Sequence, residues 1–164
     1  MSHVPVARLN HAVLYVRDAQ AAAEFYGRVF GFEVVSSEFG GQAVFMRAAS
    51  GENHHDLGLF SVGAGAPRPP RGSTGLYHFA IRYPTRRALA DALQRLLRAR
   101  VPLGGASDHG VSEALYLSDP DGNGLELYWD RPREQWPHEP DGTLAIVTLP
   151  LDLDSLLAEL DSRQ

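Results

Sequence analysis

The stretch "LNHAVLYV" at residues 9–16 returns as "LYHFAIRY" at residues 76–83, each a short apolar run with a histidine in third place. The repetition extends past these runs. Gly58, in "LGLF", lies 47 residues after His11, and Glu126, in "LELY", lies 48 residues after His78. A repeat of this size constrains the fold more than any single motif. Half of a 164-residue chain is marginal as an independent body, so two like units are expected to share one fold.

The order of elements agrees. Residues 9–16 read as a strand, and Asp18 is a natural N-cap for "AQAAAEFYGRVF", whose apolar residues recur at helical spacing until Gly31 stops it. "FEVVSSEF", "QAVFMRAA" and "HHDLGLFSV" then read as strands separated by turns. After the Pro- and Gly-rich "GAGAPRPPRGSTG", the order starts again: "LYHFAIRY" as a strand, Thr85 capping the amphipathic "RRALADALQRLLRA", then "VPLGGASDH", "SEALYLSD" and "GLELYWD", with "DPDGNG" as a turn. The spacing therefore predicts an α+β fold of two βαβββ modules about a pseudo-twofold axis, with curved mixed sheets. The modules are residues 8–62 and 76–130, joined by a linker at 63–75. Residues 131–164 lie outside the repeat and read as an extended arm and a short helix capped by Asp152 or Asp154.

Composition narrows the function. The chain carries 20 acidic and 15 basic residues, a formal charge of −5, which argues against nucleic acid as a partner. It has no cysteine, so thiolate metal sites, disulfides and a cysteine nucleophile are excluded. No run approaches the roughly 20 apolar residues that span a bilayer, and "MSHVPVARLN" lacks the apolar core of a signal peptide. A soluble, cytoplasmic protein without a membrane partner is the expectation.

A pseudo-twofold axis brings like positions together. If each sheet curls around it, His11 and His78 approach one another and Glu126 faces the same gap. Two imidazoles and one carboxylate, with other positions open, make the facial triad of non-haem Fe(II) enzymes; Mn(II) or Zn(II) also suits such donors. A single strand histidine is more often a packed or surface residue. The acid in the otherwise apolar "LELYW" adds weight, because a buried carboxylate needs a partner.

The repeat, "LNHAVLYV", "LYHFAI" and "DPDGNGLELYW" together resemble the vicinal oxygen chelate superfamily over about residues 8–130. That superfamily includes glyoxalases, fosfomycin and bleomycin resistance proteins and type I extradiol dioxygenases. The resemblance implies that His11, His78 and Glu126 hold the metal. Glyoxalase-like members carry a further ligand where Gly58 stands here, so three protein ligands are implied. "DHGVSEALYLSDPDGNGLELY" and "HHDLGLF" resemble catechol 2,3-dioxygenases. By motif His55 matches the acid–base histidine, Tyr116 the active-site tyrosine and His109 a supporting histidine. Strict alternation would place His54, Asp56 and Gly58 on one strand face and His55 on the other. A bulge near Asp56 would reconcile this with the motif; otherwise His54 takes the role.

The implied activity is extradiol cleavage of a catechol-type substrate with O2, on Fe(II) or, alternatively, Mn(II). His55 would move a proton, and Tyr116 and His109 would donate hydrogen bonds to developing oxyanions. Two alternatives stand beside it: a glyoxalase-like lyase or isomerase using Zn, Ni or Co, and a bleomycin-resistance-type binding protein. Trp129 and Trp136 could line a ligand pocket, although such residues more often pack a core or an interface. A homodimer is the natural assembly for a small symmetric enzyme.

Overall fold

In this computed structural model, which describes residues 5–70 and 72–161, the first helix begins where the sequence chemistry requires. The Asp18 carboxylate accepts hydrogen bonds from the backbone N–H groups of Gln20 and Ala21 and caps α1, Ala19–Phe30. Gly31 ends α1 in the left-handed conformation (φ 76°) that costs glycine little. α1 buries Ala22, Ala23, Phe25, Tyr26 and Val29. They pack on one face of a four-stranded sheet built from β1 (Ala12–Val16), β2 (Phe32–Glu38), β3 (Ala43–Ala48) and β4 (Leu57–Ser61), in the order β1-β4-β3-β2. β1 runs parallel to β4, and the other pairs are antiparallel. The two-residue period of β1 is explicit: Leu14 and Val16 are buried under the helix, whereas Val13 and Tyr15 are 53% and 77% exposed on the other face.

The second body repeats the pattern. Thr85 caps α2 (Arg86–Arg98) by accepting from the N–H of Ala88, and Leu89, Ala90, Leu93 and Leu96 form its buried stripe. The sheet contains β5 (Phe79–Arg82), β6 (Gly105–Asp108), β7 (Ser112–Ser118), β8 (Gly124–Asp130) and β9 (Leu149–Pro150), in the order β5-β8-β7-β6-β9. β9 was not foreseen. α3 (Leu153–Leu157), capped by Asp152, follows it and packs on α2. Residues 162–164, at the far end of the predicted terminal helix, Arg71 in the predicted linker, and residues 1–4 of the N-terminal segment lie outside the described residues.

The chain divides into two compact units, residues 1–68 and 69–164. Within each, a helix packs on the sheet. The second unit also holds a buried ion-pair chain. The Glu113 carboxylate, 5% exposed, accepts from Arg86 Nε and Arg131 Nη2, each at 2.8 Å. Arg86 also reaches Glu159 (2.7 Å), and Arg131 reaches Asp108 (2.6 Å). This chain ties the start of α2 to β7, the end of β8, β6 and the C-terminal segment. Among the described residues, no helix is long and apolar enough to cross a membrane.

Candidate active site

His11 stands immediately before β1, where the N–H of Ala12 donates to the Asp56 carbonyl at 3.0 Å. The neighbouring loop is held by its own side chains. Asp56 Oδ2 accepts from the Ala48 N–H (2.8 Å), Asp56 Oδ1 from Asn53 Nδ2 (2.5 Å), and Asn53 Oδ1 from Arg8 (2.7 Å). That loop brings both candidate histidines to His11. The rings of His11 and His55 lie 4.5 Å apart and those of His11 and His54 lie 6.1 Å apart. His54 Nδ1 and His55 Nδ1 are 2.6 Å apart, so one donates and the other accepts. His55 also meets Phe45 edge-on at 5.1 Å. Its pKa is lowered by burial and by the neighbouring His54 and His11, so its neutral form is favoured.

Both histidines precede β4 rather than sitting on it. Strand alternation therefore does not decide between them, and no bulge near Asp56 is needed. The register shift in this sheet lies instead between Val34 and Ser36 of β2. Gly58 pairs with Val13 on one side and Phe45 on the other. A Cβ there would stand 3.3 Å from Val13 Cγ2 and 3.5 Å from the Phe45 ring. Side chains close over the position, which offers no donor.

In the second unit His78 stands just before β5, and its Nε2 lies 3.1 Å from Glu126 Oε2. Tyr116 and Glu126 are directly opposite in the antiparallel β7–β8 register, so the tyrosine hydroxyl donates to Glu126 Oε1 at 3.0 Å. His109 Nε2 lies 2.7 Å from the same hydroxyl. Burial, then the hydrogen bond and charge of Glu126, push the Tyr116 pKa upward, and the phenol keeps its proton. Gly124 makes this approach possible, a role that the turn motif alone does not reveal. A Cβ at Gly124 would collide with the Tyr77 carbonyl oxygen and lie 3.1 Å from His78 Cβ.

The proton positions at His109 follow from its neighbours. The Val147 carbonyl, 2.7 Å from Nδ1, only accepts, so Nδ1 carries a proton. In a neutral ring Nε2 is then an acceptor, and the single Tyr116 proton is shared between Nε2 and Glu126.

The seven histidine, tyrosine and carboxylate residues singled out by the sequence thus fall into two groups: His11, His54 and His55 in one unit, and His78, His109, Tyr116 and Glu126 in the other. Within neither unit, among the described residues, do three His, Asp or Glu side chains form a cluster able to hold an ion. Donor chemistry nonetheless fits a divalent cation. Glu126 and His78 present oxygen and nitrogen donors side by side, and Tyr116 fixes the second carboxylate oxygen. Trp136 has a packing role: its Nε1 donates to the Arg131 carbonyl (2.8 Å), and Arg133 lies over its ring at 5.3 Å.

Comparison with known proteins bears on the chemistry. The family described as Glyoxalase/Bleomycin resistance protein/Dioxygenase superfamily matches residues 8–127. A catechol-2,3-dioxygenase of Bacillus subtilis (strain 168) is 38% identical over 156 residues, 92% of this chain and 51% of that protein. A biphenyl-2,3-diol 1,2-dioxygenase 3 of Rhodococcus globerulus is 34% identical over 128 residues, 75% of this chain and 63% of that protein. The chain therefore spans about half to two thirds of the length of these relatives. A lactoylglutathione lyase from Agrobacterium tumefaciens has a similar solved structure, with a TM-score of 0.58 and 26% identity over 77% of this chain and 96% of that one.

Proposed function

Because the chain belongs to the glyoxalase/bleomycin resistance protein/dioxygenase superfamily, we propose that it is a metal-dependent extradiol dioxygenase opening the ring of a catechol-type substrate with O2, a step in the breakdown of aromatic compounds. The observation that carries this reading is the Tyr116–Glu126 pair with His109 behind it. A phenol and an imidazole beside a carboxylate can receive a phenolic oxygen that gains negative charge. The named dioxygenase relatives support the same chemistry.

His11, His78 and Glu126 would supply the metal ligands, with Fe(II) the ion proposed and Mn(II) the alternative. When bound, the ion would gather the two catechol oxygens and O2 and lower the hydroxyl pKa. The protein's own groups do the rest. His55, whose neutral form is favoured, takes a hydroxyl proton and later returns it. Tyr116 donates to the developing oxyanion, and His109 orients Tyr116. A homodimer is the assembly proposed. The lyase reading, which the solved lyase structure favours, would use Zn or Ni. It loses the ligand position that Gly58 leaves without a donor.

The test is anaerobic reconstitution with Fe(II), followed by metal analysis and oxygen uptake on catechol. The wild-type chain should bind one ion and consume O2. His11→Ala, His78→Ala and Glu126→Ala should each lose most of the bound iron. Full iron content in all three variants refutes the ligand set, and thiol–methylglyoxal turnover without O2 uptake would support the lyase.

A further inference from the structure

The segment after β8 contributes more than a terminus. Residues 137–145 form a small loop: His138 bridges Leu144, and Ala145 N–H donates to the Pro137 carbonyl at 2.9 Å. The chain then crosses the turn that carries His109. Val147 N–H donates to the His109 carbonyl at 3.2 Å, and His109 Nδ1–H donates to the Val147 carbonyl at 2.7 Å. β9 pairs Leu149 with Asp108 and Pro150 with Ser107. On the other side of the turn Gly110, at φ 76°, lies so close to Pro137 that a Cβ would meet Pro137 Cγ at 2.9 Å.

The side chains of this crossing segment contribute little to its hold. Leu144, Ile146 and Leu149 are 42%, 64% and 56% exposed. Apolar burial therefore does not explain why the segment runs here, whereas both backbone groups of Val147 meet His109, one at its carbonyl and one at its ring, with Thr148 Oγ1 3.5 Å from the same Nδ1. Asp108, the residue before, is itself fixed by Arg131 and by the Gly110 N–H.

We propose that residues 144–150 form a positioning strap in which Val147, with Gly110 seating Pro137, fixes the Nδ1–H tautomer of His109 and so aims Nε2 at the Tyr116 hydroxyl. Its consequence for turnover rests on the dioxygenase reading; its effect on the histidine does not. Without the strap, His109 is free to protonate Nε2 instead; that N–H then donates to the Tyr116 oxygen, and Glu126 is left as the sole acceptor of the Tyr116 proton.

The experiment reads the two claims separately. Long-range 1H–15N NMR of the metal-free, 15N-labelled full chain reports each histidine tautomer, with His109 assigned by the signals lost in His109→Gln. The wild-type ring should be protonated on Nδ1. Val147→Pro, which removes the N–H and redirects the carbonyl, should shift the ring to Nε2–H, and Gly110→Ala should do so in part. A wild-type His109 protonated only on Nε2 overturns the proposal, as does an unchanged tautomer in both variants. The wild-type spectrum decides alone if either variant fails to fold. In Fe(II)-loaded protein Val147→Pro should lower kcat for catechol about tenfold with little change in KM. A shifted tautomer with unchanged kcat refutes the positioning role. A strapped Nδ1–H tautomer in a wild-type protein that does not cleave catechol upholds the strap and refutes the function.

Discussion

Replacing Glu113 with alanine tests the second unit's internal ion-pair chain. The carboxylate is 5% exposed and accepts two charge-assisted hydrogen bonds of 2.8 Å, from Arg86 and Arg131. Each such bond contributes about 1.5–3 kcal/mol, and breaking a buried pair typically costs about 3–5 kcal/mol. Neither arginine would be stranded, because Arg86 keeps Glu159 and Arg131 keeps Asp108. The lower end of that range applies, so the expected loss is about 3 kcal/mol. The assay follows from the sequence. The only two tryptophans, Trp129 and Trp136, both belong to this unit, so their fluorescence reports its unfolding in urea. With a slope near 1.5 kcal/mol per molar for a body of this size, the midpoint should fall by about 2 M. A shift corresponding to less than about 0.5 kcal/mol would show that the ion-pair chain adds nothing beyond its desolvation cost.

Other outcomes follow from single contacts. Gly124→Ala should displace Tyr77 and His78, so bound Fe(II) should fall sharply although no ligand is removed; unchanged metal affinity would show that the close approach is dispensable. The Arg131 hydrogen bonds, then the Gly110 N–H, hold the Asp108 carboxyl below its ordinary 3.8. A depressed carboxylate pKa stabilises the folded state above that value and loses the contribution as pH falls through the folded value. The urea midpoint of the second unit should therefore drop between about pH 5 and about pH 3, and Asp108→Asn should flatten that dependence. An equally steep profile in the variant would assign the acid sensitivity to other groups.

What the sequence made legible was local. Asp18 and Thr85 cap helices where their side chains suggested, and of the two candidates Asp152 and Asp154 it is Asp152 that caps α3, because a cap is a contact between residues two or three apart. The repeat placed His11 and His78 at like positions, and each stands directly before the first strand of its sheet. "DPDGNG" was legible as the turn between β7 and β8, but the pairing of Tyr116 with Glu126 that it sets was seen only in the strand register. Contacts over long separations left no such trace. Arg86 and Glu113 are 27 residues apart and His109 and Val147 are 38 apart, and no periodicity links them. The choice between His54 and His55 was framed by strand alternation, yet both lie in a loop whose shape depends on Asn53 and Asp56 side chains. Gly124 reads as an ordinary turn glycine, and only the neighbouring backbone of Tyr77 explains its second role.

The proposed activity inserts dioxygen into a catechol ring. Its most direct test is single-turnover reaction of Fe(II)-loaded protein with catechol under 18O2, with mass spectrometry of the yellow ring-opened product. Extradiol cleavage gives a product opened beside the two hydroxyls that carries both atoms of one O2 molecule, one in the new carboxylate and one in the aldehyde, which immediate borohydride reduction fixes before it exchanges with water. A product with no labelled oxygen in its new carboxylate, or no ring opening by fully metal-loaded protein, would contradict it.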